Sequence, residues 1–145
     1  MSRILGIDFG ESRTGLAISD ESELIARGLS TFQAKKDKEF IPYLKKIIGQ
    51  NEVREIVIGF PKMMDGSLGE KAKEVQKFAE KIKGVLEIPI VLWDERLSSV
   101  QSEKILREMG EKYTRQKQKV DQLSAVLILQ NYLDYKRNRY GKEKP

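Results

Sequence analysis

Two short apolar runs limit the fold most: "SRILGIDF" at residues 2–9 and "REIVIGF" at 54–60. Neither alternates polar with apolar residues, so neither reads as a strand with one wet face. They read as central strands of a sheet covered on both sides, the second of them parallel. "RTGLAIS" and "LIARGLSTF" are separated only by the polar "DESE", which predicts an antiparallel hairpin. "IPIVLW" is a fifth strand. Between strands, "DKEFIPYLKKIIGQ" puts Phe40, Leu44, Ile47 and Ile48 at helical spacing, with Asp37 as N-cap and Gly49 as stop. Pro42 fits that helix only near its first turn. A second helix carries Leu68, Ala72, Val75, Phe78, Ala79 and Ile82 on one face. A third, capped by Ser98 or Ser99, carries Val100, Ile105, Leu106 and Met109. "GEKYTRQKQK" reads as a mobile basic loop, and a last helix runs roughly from residue 119 to 135. The order βββαβαβαα predicts an α/β fold: a five-stranded mixed sheet, three strands in an antiparallel meander and two parallel, flanked by helices.

One residue breaks the first run. Asp8 stands at its end, just before Gly10, and a buried strand carboxylate without a partner costs several kcal/mol. If strands one and five run parallel, Asp94 and Glu95 leave the sheet at the same carboxyl edge, where ligands of α/β sheets bind. Asp121 falls in the first turns of the last helix, which its apolar face could bring alongside. Converging carboxylates repel one another and call for a cation between them. The chain has 145 residues with no cysteine and no histidine. That excludes Cys/His zinc sites, cysteine nucleophiles and Ser-His-Asp triads, and leaves a hard ion, Mg2+ or Mn2+, as the metal such a cluster could hold. Each acid also has a plainer role: Asp8 paired with Arg13 or Arg96, Asp94 and Glu95 in an ordinary turn, Asp121 on a helix dipole.

Charge is placed unevenly. Up to Glu111 the chain has 18 basic and 19 acidic residues; from Lys112 onward it has 9 basic and 3 acidic. The net charge of +5 therefore lies in the last quarter, which suits contact with a polyanion. Lys112, Arg115, Lys117 and Lys119, with Tyr113 among them, are the candidate nucleic-acid contacts, together with Arg13 and Arg96 nearer the acids. No apolar run approaches the roughly 20 residues that span a membrane, and "MSRILGID" lacks a signal-peptide pattern, so a cytoplasmic protein without membrane contact is expected.

The stretches "GIDFGESRTGLAISD", "IVIGFPKMMDGSLGEKA", "WDERLSS" and "VDQLSAVLILQNYLD" resemble, in the same order, those of the YqgF (RuvX) family. The resemblance runs from Ile4 to about Leu133. It implies a ribonuclease H-like domain related to Holliday-junction resolvases of the RuvC type, here residues 1–138 with a basic tail at 139–145. It also implies a divalent-metal-dependent nuclease that matures the 5′ end of pre-16S rRNA, with a ribosomal-subunit precursor as partner. Its acidic triad falls on Asp8, Glu95 and Asp121, its "RxG" element on Arg13 and Gly15, and its "GxP" element on Gly59 and Pro61, where a small residue would leave backbone close to a substrate. Departures are mild: Phe60 stands where Leu is frequent, and Ser102 and Ser124 where Ala is usual. A RuvC-like enzyme would add a fourth acid near the third, where this chain has Ser124 and Ala125.

Three rival readings remain open at this point. A junction resolvase acting on branched DNA would favour a homodimer, whereas RNA trimming suits a monomer equally. A non-catalytic RNA-binding or ribosome-assembly protein would share the basic segment. An actin-like ATPase would use "IDFGESRTG" as a phosphate loop, but such enzymes close two domains around the nucleotide and this chain has the length of one.

Overall fold

The structure is a computed structural model. It describes residues 2–10, 12–33, 37–63, 65–95 and 117–143, with side chains described throughout these except at 37, 38, 117–121 and 139–143. Among the described residues the order is β1 (Arg3–Asp8), β2 (Thr14–Ser19), β3 (Ala26–Phe32), α1 (Asp37–Asn51), β4 (Val53–Phe60), α2 (Glu70–Lys83), β5 (Ile90–Asp94) and α3 (Lys117–Glu143). The helix expected over Val100 to Met109 lies outside them.

The five strands form one mixed sheet in the order β3-β2-β1-β4-β5. β1 pairs antiparallel with β2 and parallel with β4, and β4 pairs parallel with β5. The apolar runs occupy the centre as their composition requires: Ile4, Leu5, Ile7, Ile56, Val57 and Ile58 are fully buried. Strand alternation divides these side chains between two cores. Leu5, Ile7, Ile56, Ile58 and Phe60 pack under α1 and α2, while Ile4, Val57 and Trp93 pack under α3.

The β2–β3 hairpin is held by Asp20. Its Oδ1 accepts the backbone N–H groups of Leu24 (2.8 Å) and Ile25 (3.0 Å), and Ser22 Oγ donates to Oδ2. These donors, Ser22 first, hold the Asp20 carboxyl down at about 2. A depressed acid stabilises the fold above its unfolded pKa, and that contribution fades as pH falls through about 2. Asp20→Ala should therefore cost about 1 kcal/mol at neutral pH, the bonds being solvent-exposed, and almost nothing in strong acid. Urea titrations at the two pH values check this; an equal cost at both would remove the charge from the account.

Three local expectations are corrected. Gly49 does not stop α1, which runs on to Asn51 with Pro42 in its second turn. The chain leaves instead through Glu52 at φ 51°, whose carbonyl accepts Arg3 N–H. Leu68 lies before α2 rather than on its buried face, which consists of Ala72, Val75, Phe78, Ala79 and Ile82. Lys117 and Gln118 are helical rather than loop, and α3 runs beyond the end expected near residue 135, as far as Glu143.

α3 lies across the sheet antiparallel to β4. Tyr132 Oη donates to the Glu55 carboxylate near the start of β4, and Lys136 Nζ stands 3.6 Å from Glu55 Oε1 and 3.8 Å from Glu23 Oε1. Burial, then the bond to Glu55, raises the Tyr132 phenol far above its ordinary range, so it stays a neutral donor. Gln130 ties the helix to the hairpin, accepting Ala26 N–H and donating to Leu24 O, each at 2.9 Å. The amino-terminal end of α3 consequently points toward the carboxyl edge of the parallel strands. No helix among the described residues is long and apolar enough to cross a membrane.

Candidate functional site

Alternation along β1 puts Asp8 on the same face as Ile4 and Gly6, the face covered by α3. On β4 the matching position is Gly59. A β-carbon there would lie 2.5 Å from Ile128 Cδ1 and 2.9 Å from Glu95 Oε1. Gly6 gives the same kind of clearance, with Leu129 Cβ only 2.8 Å from where its β-carbon would be. The two missing side chains let α3 settle close to the sheet, and the one at Gly59 leaves a seat for the Glu95 carboxylate. The small residue at this position was expected to admit a substrate; in the structure its space is taken by Glu95 and Ile128.

Asp94 is the last residue of β5, paired with Phe60, rather than a residue beyond the strand. Trp93 faces α3, so alternation turns Asp94 to the opposite side and Glu95 back toward Asp8. The choice between the two adjacent acids, open from spacing alone, follows from this register. Glu95 is held above the ordinary carboxylate range, by burial first and by the negative charge of Asp8 second. Lys71 opposes that shift and Asp94 adds to it. Two carboxylates from β1 and the end of β5 are thus electrostatically coupled at one edge of the sheet, as converging acids require.

Asp121 lies in the second turn of α3, one helical turn before Ala125, whose carbonyl oxygen lies 3.2 Å from where a Gly6 β-carbon would be. Its side chain is outside the described set, and no group of three metal-ligating side chains occurs among the described residues. Arg13 stands just before β2, whose Gly15 pairs with Asp8. A β-carbon on Gly10 would lie 2.4 Å from the Arg13 carbonyl oxygen, so glycine is what allows the turn to close. Arg96, Lys112 and Arg115 lie outside the described residues; Lys117 and Lys119 sit in the first turn of α3.

Sequence reasoning missed Lys71. It sits in the first turn of α2, exposed, and is the one cation whose charge acts noticeably on Glu95 among the described residues. The available signal was its place just after the β4–α2 loop, which returns to the carboxyl edge.

The donors at this edge are carboxylate oxygens, partly desolvated and mutually repelling, and such a set suits Mg2+ or Mn2+. The RuvX family model, described as a Holliday junction resolvase, matches residues 2–135. A protein of Thermoanaerobacter pseudethanolicus named "Putative pre-16S rRNA nuclease" is 44% identical over 138 residues, covering 94% of this chain and 99% of its own. One of the same name from Desulfitobacterium hafniense is 42% identical over 142 residues, covering 98% and 99%. Among solved structures, T. thermophilus RuvC in complex with Holliday junction substrate aligns with a TM-score of 0.61 at 13% identity, covering 94% of this chain and 96% of its own. At that identity the likeness is one of fold, and it supports the ribonuclease H-like architecture that the family resemblance implied.

Proposed function

The chain belongs to the RuvX family, and on that premise we propose that it is a divalent-metal-dependent nuclease acting at the 5′ end of pre-16S rRNA. The observation that carries the chemistry is the charge coupling of Asp8 and Glu95 at the carboxyl edge of the sheet. In this reading Asp8, Glu95 and Asp121 hold one or two Mg2+ or Mn2+ ions. When bound, the metal supplies water activation and neutralises charge on the leaving oxygen. The residues do the rest. Glu95 gives up its proton before it can ligate, so divalent affinity should fall as pH drops through its raised pKa. Arg13 and Arg96 orient the phosphate, and Lys112, Arg115, Lys117 and Lys119 hold flanking phosphates.

The resolvase reading draws on the description of the family model and on fold likeness, the pre-rRNA reading on the names of relatives of 42–44% identity across nearly the whole chain. A side-by-side assay separates them: a precursor rRNA fragment and a four-way DNA junction, each with Mn2+ and with chelator. Cleavage of the RNA alone, abolished by chelator, is expected; cleavage of the junction alone would reverse the assignment. Four phosphate contacts on a single strand give a slope of about −0.7 per contact, so a fourfold rise in salt should weaken RNA binding about fifty-fold. A flat response would remove the basic segment from the interface.

A further inference from the structure

α3 is seated on the sheet by apolar side chains: Ala125, Ile128, Leu129 and Leu133 are buried with Ile4, Ala17 and Val57. Apolar burial is non-directional, so it tolerates small shifts of the helix that a hydrogen bond does not. Directional ties come in the carboxyl-terminal half of α3. Tyr132 Oη donates to the Glu55 carboxylate, and both residues are buried (8% and 9% exposed). Lys136 Nζ stands over the Tyr132 ring, 5.4 Å from its centre, and 3.6 Å from Glu55 Oε1. A buried carboxylate is costly without partners, and a well-packed apolar pair of similar volume would stabilise the fold as well or better. Stability alone therefore does not account for Glu55 and Tyr132 at this place.

What the pair does fix is the place of α3 along β4. Glu55, Val57 and Gly59 alternate onto the face of β4 that α3 covers, so the tie and the Glu95 seat stand on one strand, about 13 Å apart. On α3 the positions of Tyr132, Ile128, Ala125 and Asp121 fall within about 60° of one another around the helix axis, one stripe spaced at three and four residues. Ile128 fills the space at Gly59, and Asp121 follows about two turns further toward the amino-terminal end. We propose that Tyr132 is a positioning residue: its bond to Glu55 sets where α3 stands along β4, and so brings Asp121 level with Asp8 and Glu95. The inference deepens the nuclease reading and rests on it. A directional bond is what such a task requires, because the stripe is a rigid helix and a shift at Tyr132 is carried whole to Asp121.

The test uses the full chain and two independent readouts. One is Mn2+ affinity by calorimetry without substrate. The other is the distance between nitroxides at Ser124→Cys on α3 and Lys73→Cys on α2, sites that label cleanly because the chain has no cysteine. Glu55→Leu/Tyr132→Phe removes the bond and the buried charge together, so it should melt within a few degrees of wild type. Its label distances should nonetheless shift or broaden, and Mn2+ should bind about tenfold more weakly, the scale of a disturbed supporting contact. In an Asp121→Asn background the same pair should change Mn2+ affinity less than about twofold, the ligand it positions being already gone. Tyr132→Phe alone, which leaves Glu55 beside Lys136, should move both readouts the same way. Glu55→Gln keeps an acceptor for Tyr132 Oη and should keep wild-type distances and affinity. Wild-type distances or affinity in the apolar pair, or equal loss with and without Asp121, would overturn the proposal. A wild-type chain that binds no Mn2+ would sink the nuclease reading instead, and the label distances would then decide the positioning by themselves.

Discussion

Asp8→Asn is expected to lower cleavage at least about a thousandfold while RNA affinity in chelator changes less than about twofold, since on the proposed reading one metal ligand is lost and no basic residue is touched. The same substitution should also stabilise the metal-free protein. Asp8 raises the Glu95 pKa through like-charge repulsion, on top of what burial does. An acid whose folded pKa is raised costs stability once ionised, so that cost appears as pH rises through the folded value. Replacing Asp8 by a neutral isostere removes one part of it. At neutral pH the variant should gain about 1 kcal/mol over wild type without metal, and the gain should vanish in acid where Glu95 is protonated in both. Carbon-detected titration of Glu95 should show its pKa lowered in the variant. Retained cleavage, or an unmoved Glu95 titration, would each remove Asp8 from the site.

Gly59→Ala should damage both stability and cleavage, for separable reasons. Its methyl would meet Ile128 Cδ1 at 2.5 Å and Glu95 Oε1 at 2.9 Å. Overpacking against Ile128 should cost about 2 kcal/mol. Displacing the Glu95 carboxylate by even about 1 Å should cost about a hundredfold in turnover. Adding Ile128→Val makes room for the methyl on the helix side only. The double variant should therefore recover much of the stability and little of the activity. Should activity return with stability, the crowding of Glu95 would play no part. Gly49→Ala is the control: nothing lies within 4 Å of its β-carbon, and in a helix interior it should stabilise by about 0.5–1 kcal/mol.

The errors in reading the chain fall at element boundaries. Gly49 looked like a helix stop because glycine favours the left-handed conformation, yet the exit is Glu52 at φ 51°, followed at once by β4. What ends α1 is the start of the next strand, which no local propensity reports. Leu68 continued the α2 periodicity in the sequence, but the helix begins two residues later, after Gly69, and leaves Leu68 in the loop. Lys117 and Gln118 looked too polar for structure, and they are carried into a helix whose apolar face lies further along. At Glu52 the strand that follows decided a boundary that composition had left loose.

Strand identity, the hairpin and the two-sided burial of β1 and β4 were dictated by the chain alone, because a continuous apolar run bounded by polar residues is a local property of consecutive residues. The absence of cysteine and histidine likewise confined any metal chemistry to oxygen ligands. Which of Asp94 and Glu95 meets Asp8 was decided only by the folded register, and so was the need for an empty space at Gly59. Those facts depend on strands 50 and 87 residues apart from β1 lying side by side under one helix, and contact at such separations is set by packing rather than by neighbours in sequence.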